Sequence, residues 1–293
     1  TGWARGYYEL HKLGIDDVFA IVIPRCRERG VSPWISLRMN DHHYTDDPSR
    51  VSPLFFEHPE LRTRGGKGLF NYARPEVREH YLKLAAEVLE RYDVDGLELD
   101  WIRTADNFNI DDIEQGREIL TDFVRAVHRE TQAAAKRRGH AVQLAVRVPA
   151  KPEFAYGLGF DVAAWAREGL VDIVIPSDYW NGFADLPVED WRAQIGVDTR
   201  QCRIVPFTGT TYACTKGWMV NVMSRNLAAM RGFAASMLDR GADGIYFFNN
   251  FPPVDSPVLL RTLEGKDVVY CLVADRLRAA SDLPGAMANA RVH

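Results

Sequence analysis

The stretches of this chain that read as buried strands alternate with helical patterns, and no hairpin signal joins any two of the strands. The strand patterns fall at 34–39 (WISLRM), 94–101 (VDGLELDW), 141–150 (AVQLAVRVPA), 170–180 (LVDIVIPSDYW), 202–212 (CRIVPFTGTTY) and 242–251 (ADGIYFFNNF). Between them, 75–92 opens with Pro75 and repeats Val77, Tyr81, Leu84 and Val88 on one face. A second helix carries Leu120, Phe123, Val124 and Val127 and ends near Gly139; further helices are expected around 162–168 and 220–240. VFAIVI at 18–23 reads as a helix leading to Arg29 and Gly30, against the objection of Pro24. Strands linked only by helices require right-handed crossovers and therefore a parallel sheet.

A doubly wound sheet and a (β/α)8 barrel both satisfy that alternation. No GxGxxG or phosphate loop follows any strand, whereas polar and aromatic residues end nearly every one, as they do on the top face of a barrel. The expected fold class is α/β, a (β/α)8 TIM barrel truncated at its N-terminus, with six strands visible. Residues 1–33 hold at most helical material, so two strands are expected to precede Thr1. The expected domains are a partial catalytic barrel over 1–264 and a C-terminal extension over 265–293, where GKDVVYCLVADRL looks like the first strand of an appended β domain.

Composition excludes some functions. With 293 residues, 46% hydrophobic and 26% charged, the chain can bury a large core. Its net charge of −4 offers no surplus of Lys and Arg to meet a nucleic-acid backbone. Cys26, Cys202, Cys214 and Cys271 form no CxxC pair, so neither zinc nor redox chemistry is suggested, and one disulfide is left open. No stretch reads as a membrane span or a signal peptide.

The chemistry gathers at strand ends. The strand at 34–39 runs into Arg38, Asn40, Asp41, His42 and His43, residue types that a buried strand has no use for. In LELDW, the period of two sends Leu97 and Leu99 toward the helices and Glu98 and Asp100 into the barrel. Arg38, Arg103 and Arg147 lie at or just past the ends of successive strands, where guanidinium groups can converge on a carboxylate or phosphate. The alternative is that each neutralises an acid: Arg38 with Asp41, Arg103 with Asp100, Arg147 with Glu98. Arg62, Arg64 and Lys67 read as a solvated loop. Trp101, Tyr179, Trp180, Tyr212, Trp218 and Phe251 are candidate stacking rings for a sugar, or else packing residues. Asn249 and Asn250 end the last strand and could orient hydroxyls, while His42 and His43 are not spaced as metal ligands.

The segments RMNDHH at 38–43, PEVREHYLKLAAEVLERYDVDGLELDWIR at 75–103 and LVDIVIPSDYW at 170–180 resemble TIM-barrel glycoside hydrolases. Within that group, an arginine followed five residues later by a histidine, Arg38 and His43 here, is most similar to the inverting exo-sialidases of glycoside hydrolase family 156. That resemblance implies that Arg38 and Arg103 hold the sialic acid carboxylate, that His43 is a catalytic acid/base group tuned by Asp41, and that Asn250 or Asn249 touches substrate. The family's aspartate from the end of its first strand has no counterpart here, which is the main departure. The candidate site thus comprises His43 and Asp41 as catalytic residues, with Arg38, Asn40, Arg103, Asp100, Arg147, Tyr179, Asn249 and Asn250 binding substrate. No metal or cofactor is expected. The expected partner is a sialylated glycan or other acidic sugar, for which an extracellular or periplasmic location is the natural setting.

The chemistry is consistent with that set. A carboxylate on the anomeric carbon must be held while an oxocarbenium-like centre develops beside it, and an imidazole near neutral pKa can give or take a proton there. Two rivals stand beside this reading: a glycosidase that pairs Asp100 or Glu98 with Asp178, and a carbohydrate-binding barrel without turnover.

Overall fold

The computed structural model describes residues 8–41, 43–48, 51–64, 68–102, 104–178, 186–196, 198, 201–208 and 227–247. In chain order these hold α1 (Phe19–Glu28), β1 (Trp34–Arg38), α2 (Pro53–Glu57), α3 (Pro75–Arg91), β2 (Gly96–Asp100), α4 (Ile113–Arg138) and β3 (Gln143–Pro149). There follow α5 (Pro152–Gly157), α6 (Val162–Arg167), β4 (Ile173–Ser177), α7 (Val188–Ile195), β5 (Arg203–Ile204), β6 (Phe207–Thr208), α8 (Leu227–Asp239) and β7 (Tyr246–Phe247).

The helices form where the sequence places them, with shifts that have physical causes. α1 runs through Pro24 to Glu28. α3 begins on Pro75, but it buries Val77, Tyr81, Ala85 and Leu89, while Leu84 is exposed and Val88 only half-buried. A strict spacing of four holds the face that the expected set abandons after Tyr81. α4 buries Leu120, Phe123, Val124 and Val127 as expected, and stops at Gly139, whose φ of 75° only glycine adopts cheaply. The short helices α2, α5 and α7 carry weak periodic signals and are not among those expected.

All strand pairings are parallel, and β1 to β5 lie side by side in sequence order. The strand expected over 202–212 is split into β5 and β6 around Pro206, yet it serves as one wall segment. Val205 N–H donates to Val174 O (2.9 Å) on β4, while Asp243 N–H donates to Ile204 O (2.8 Å) and Tyr246 N–H to Pro206 O (3.0 Å) on the β7 side. Six strand positions thus follow one another without an order reversal. Side chains show that this sheet curls. β2 and β7 are four strand spacings apart, about 19 Å on a flat sheet, far beyond the reach of two side chains. Nevertheless Tyr246 on β7 donates its hydroxyl to Glu98 on β2 at 3.4 Å. The fold is therefore a partial (β/α) barrel, with helices outside and alternate strand residues within.

The inner layer contains Ala145, Ile173, Ile175, Val205 and Phe207, with Trp34 and Tyr246 packed against them. Leu97 and Leu99 belong to the larger outer core between sheet and helices. At the base, recurrent aspartates at strand entrances extend the ladder. Asp172 accepts Leu144 N–H (2.8 Å), and Asp243 accepts Ile204 N–H (2.8 Å). At the other end, prolines stand on three neighbouring strand segments: Pro149 closing β3, Pro176 inside β4, and Pro206 between β5 and β6. None has an N–H to give the ladder. Cys26 and Cys202 are free thiols. Among the described residues no helix is long and apolar enough to cross a membrane. The proposed extension over 265–293 lies outside the described residues.

Candidate active site

Parallel register puts Arg38, Asp100 and Arg147 in one row across β1, β2 and β3, with Ser36, Glu98 and Ala145 in the row beneath. The upper row is at the strands' C-terminal ends, where the loops of a barrel meet. Beyond Arg38 the chain stays paired for one more residue, as Met39 N–H donates to Asp100 O (2.9 Å). It then turns through Asn40, Asp41 and His43.

Asp41 organises that turn. One carboxylate oxygen accepts a hydrogen bond from Arg38 Nη1 (2.5 Å), and the other accepts the backbone N–H of His43 (3.0 Å) and bonds its Nδ1. Burial pushes the carboxyl's pKa up, but the donors of His43 and Arg38 outweigh it and leave Asp41 below its ordinary value. A single anion therefore ties a half-exposed guanidinium to an imidazole.

The loop is fixed from behind. Asn40 is buried, and its amide donates to Phe70 O (3.0 Å) and to Asn107 Oδ1 (3.2 Å). Asn107 follows β2, so two strand-end loops are bolted together. Tyr72 adds a second pin by donating its hydroxyl to Met39 O at 2.5 Å.

Arg147 lies inside the barrel, fully buried. Its Nη1 donates to Asp100 Oδ2 (3.0 Å), its Nε donates to Ser177 Oγ (3.0 Å), and the guanidinium sits 4.6 Å from the centre of the Phe207 ring. Asp100 also accepts Ile102 N–H at 2.9 Å. The acid neutralising Arg147 is thus Asp100, not the Glu98 suggested by the alternative pairing. Glu98 accepts from Ser36 Oγ (3.0 Å) as well as from Tyr246. Burial, reinforced by the charge of Asp100, pushes its pKa up to about 7 despite Arg147 and the two hydroxyl donors.

Of the expected site residues, Arg38, Asp41 and His43 come together, Asp100 and Arg147 form a buried pair, and Asn40 serves the loop junction. Arg103, Tyr179, Asn249 and Asn250 lie outside the described residues, as do His42, Trp180, Tyr212, Trp218 and Phe251. Trp101 is not a sugar platform. It is fully buried against Tyr72, Phe123 and Phe160 at centroid distances of 5.0, 6.2 and 5.6 Å, because strand alternation turns it toward the helices. Ser36, Ser177, Phe207 and Tyr246 were missed, although the period of two that placed Glu98 also turns Ser36 and Ser177 inward. Asn107 lies in a loop without periodicity and gave no signal. Among the described residues no group of three or more His, Cys, Asp or Glu side chains is placed to hold a metal ion.

No protein-family model matches the chain, and no curated protein matches it in sequence. Solved structures similar to it include a glycoside hydrolase family 18 N-acetylglucosaminidase from Paenibacillus barengoltzii, at 19% identity and a TM-score of 0.33, covering 46% of this chain and 45% of that one. A chitinase from Rhizomucor miehei is similar at 14% identity and a TM-score of 0.49, covering 83% and 84%. An alpha-amylase from Anoxybacillus is similar at 11% identity and a TM-score of 0.49, covering 94% and 60%. The chain spans less than half the length of the first of these three.

Proposed function

We propose that this barrel is the catalytic unit of a glycoside hydrolase, an exo-sialidase that releases a terminal sialic acid with inversion. What carries the reading is the Asp41 carboxylate shared between Arg38 and His43 at the mouth of the barrel. In this proposal Arg38, with Arg103 as its partner, receives the carboxylate of the sugar through paired hydrogen bonds. His43 keeps Nδ1 on Asp41 and uses Nε2 to exchange a proton with water or with the departing oxygen. Asp41 holds the ring in place through its Nδ1 and its backbone N–H. Asp100 and Arg147 act behind this site: their mutual neutralisation keeps the row beside Arg38 fixed without adding net charge.

The rival use of Glu98 and Asp100 with Asp178 has one observation in its favour, the raised pKa of Glu98, which suits a general acid. Its burial argues the other way, since Glu98 is only 2% exposed and held by Ser36 and Tyr246.

Incubation with 3′-sialyllactose separates the readings. Free sialic acid is expected, with the β-anomer seen first by proton NMR. His43→Ala should lower the rate by about 10²–10⁴-fold, while Asp178→Asn leaves it little changed. Hydrolysis of neutral glycosides, with 3′-sialyllactose left intact, by a protein sensitive to Asp178→Asn would replace this proposal with the carboxylate-pair reading. Binding with no product after long incubation would make the barrel a lectin-like module.

A further inference from the structure

We infer that Tyr44 is the platform for the sugar on the leaving-group side of the scissile bond, an assignment that rests on the proposed roles of Arg38 and His43. Tyr44 has a φ of 61°, and among the described residues it is the one non-glycine with positive φ. Every other position in that region is glycine, because a Cβ there crowds the backbone. A bulky ring in left-handed backbone is strained, and strain of this kind persists where surrounding structure enforces it. Burying the ring would be the ordinary compensation, but Tyr44 is 49% exposed.

What enforces the conformation is the site itself. The Asp41 carboxylate draws in the backbone N–H of His43 at 3.0 Å, and Tyr44 O accepts Asp47 N–H at 2.8 Å, so the turn is clamped on both sides of Tyr44. Its ring then lies beside the His43 imidazole, 6.2 Å between centroids with the planes inclined at 49°. The contacts run in sequence from Arg38 to Asp41, from Asp41 to His43, and from His43 to Tyr44. With His43 taken in its acid role, as the group that protonates the departing oxygen, a ligand with its carboxylate on Arg38 presents its next residue to Tyr44. An amphipathic ring suits the apolar face of a neutral pyranose. The substrate class that follows is a sialylated oligosaccharide with a neutral penultimate sugar, in preference to an isolated acidic monosaccharide.

The test measures KM for 3′-sialyllactose and the inhibition constant of free N-acetylneuraminic acid, which spans only the Arg38 side, in four proteins. Tyr44→Ala and Tyr44→Gly should raise KM about tenfold and leave the inhibition constant unmoved. Tyr44→Phe, which keeps the ring, should restore the wild-type KM. Tyr44→Gly should melt at or above the wild-type temperature, since glycine relieves the strain. An unchanged KM in Tyr44→Ala, or a parallel rise in the inhibition constant, would overturn the assignment while leaving the sialidase reading standing. Absence of turnover by the wild-type protein would remove both together.

Discussion

At the scale of single residues, the buried pair of Asp100 and Arg147 has the largest energetic stake. A guanidinium sealed from water is tolerable only because a carboxylate, a serine hydroxyl and an aromatic face surround it. Removing the carboxylate takes away the charge that bonds it directly and leaves Glu98 as the acid whose charge acts on it. Asp100→Ala is therefore expected to destabilise the protein by about 3–5 kcal/mol in urea denaturation. The double variant with Arg147→Met should recover much of that loss, and simple additivity would show that the pair does not interact. The sequence turned Asp100 inward and put Arg147 at a strand end, but did not say which acid meets Arg147. Register decides it: Asp100 is the direct neighbour of Arg147 across β2 and β3, whereas Glu98 is opposite Ala145. No residue-by-residue pattern within one strand contains that information.

At the scale of elements, strand and helix existence was legible because both periodicities are strong here. Gly139 likewise marked the end of α4. Three features escaped. α2, α5 and α7 span 5, 6 and 8 residues, too few for a 3.6-residue period to declare itself. Pro206 divided one expected strand in two. The junction between the loops after β1 and β2 depends on Asn40 meeting Asn107, 67 residues away, and long-range side-chain pairing leaves no local trace. Packing between neighbouring strands is equally invisible in sequence. The indole of Trp34 on β1 covers Gly96 on β2 so closely that a Cβ at Gly96 would stand 2.4 Å from the ring. Gly96→Ala is accordingly expected to cost about 1–3 kcal/mol through overpacking. Combining it with Trp34→Leu should return part of that stability, measured by the same denaturation. A neutral Gly96→Ala would mean that the ring moves aside at no cost.

At the scale of the whole molecule, the hydrogen bond from Tyr246 to Glu98 spans the barrel and couples closure to protonation. Ser36, Tyr246, Asp100 and Arg147 face this carboxyl, and its pKa stands at about 7 against an ordinary 4.5. Because the folded state binds the proton more tightly than the unfolded chain, this group's contribution is fully present below about pH 4.5 and is lost as pH rises through about 7. The loss amounts to on the order of 3 kcal/mol. Stability measured from pH 4 to 8 should fall less steeply in Glu98→Gln than in the wild type. Identical profiles would show that the carboxyl is already ionised in the acid range.

The prolines on β3, β4 and at the β5–β6 break give the wall two different kinds of fastening. Near the strand entrances, aspartate side chains accept the backbone N–H groups of Leu144 and Ile204. Around the rim, Pro149, Pro176 and Pro206 contribute no backbone donors, and a side chain does the fastening instead: Arg147 on β3 bonds Asp100 on β2 and Ser177 on β4. Loss of Arg147 would therefore unfasten the rim at three strands while leaving the two aspartate fastenings of the floor in place.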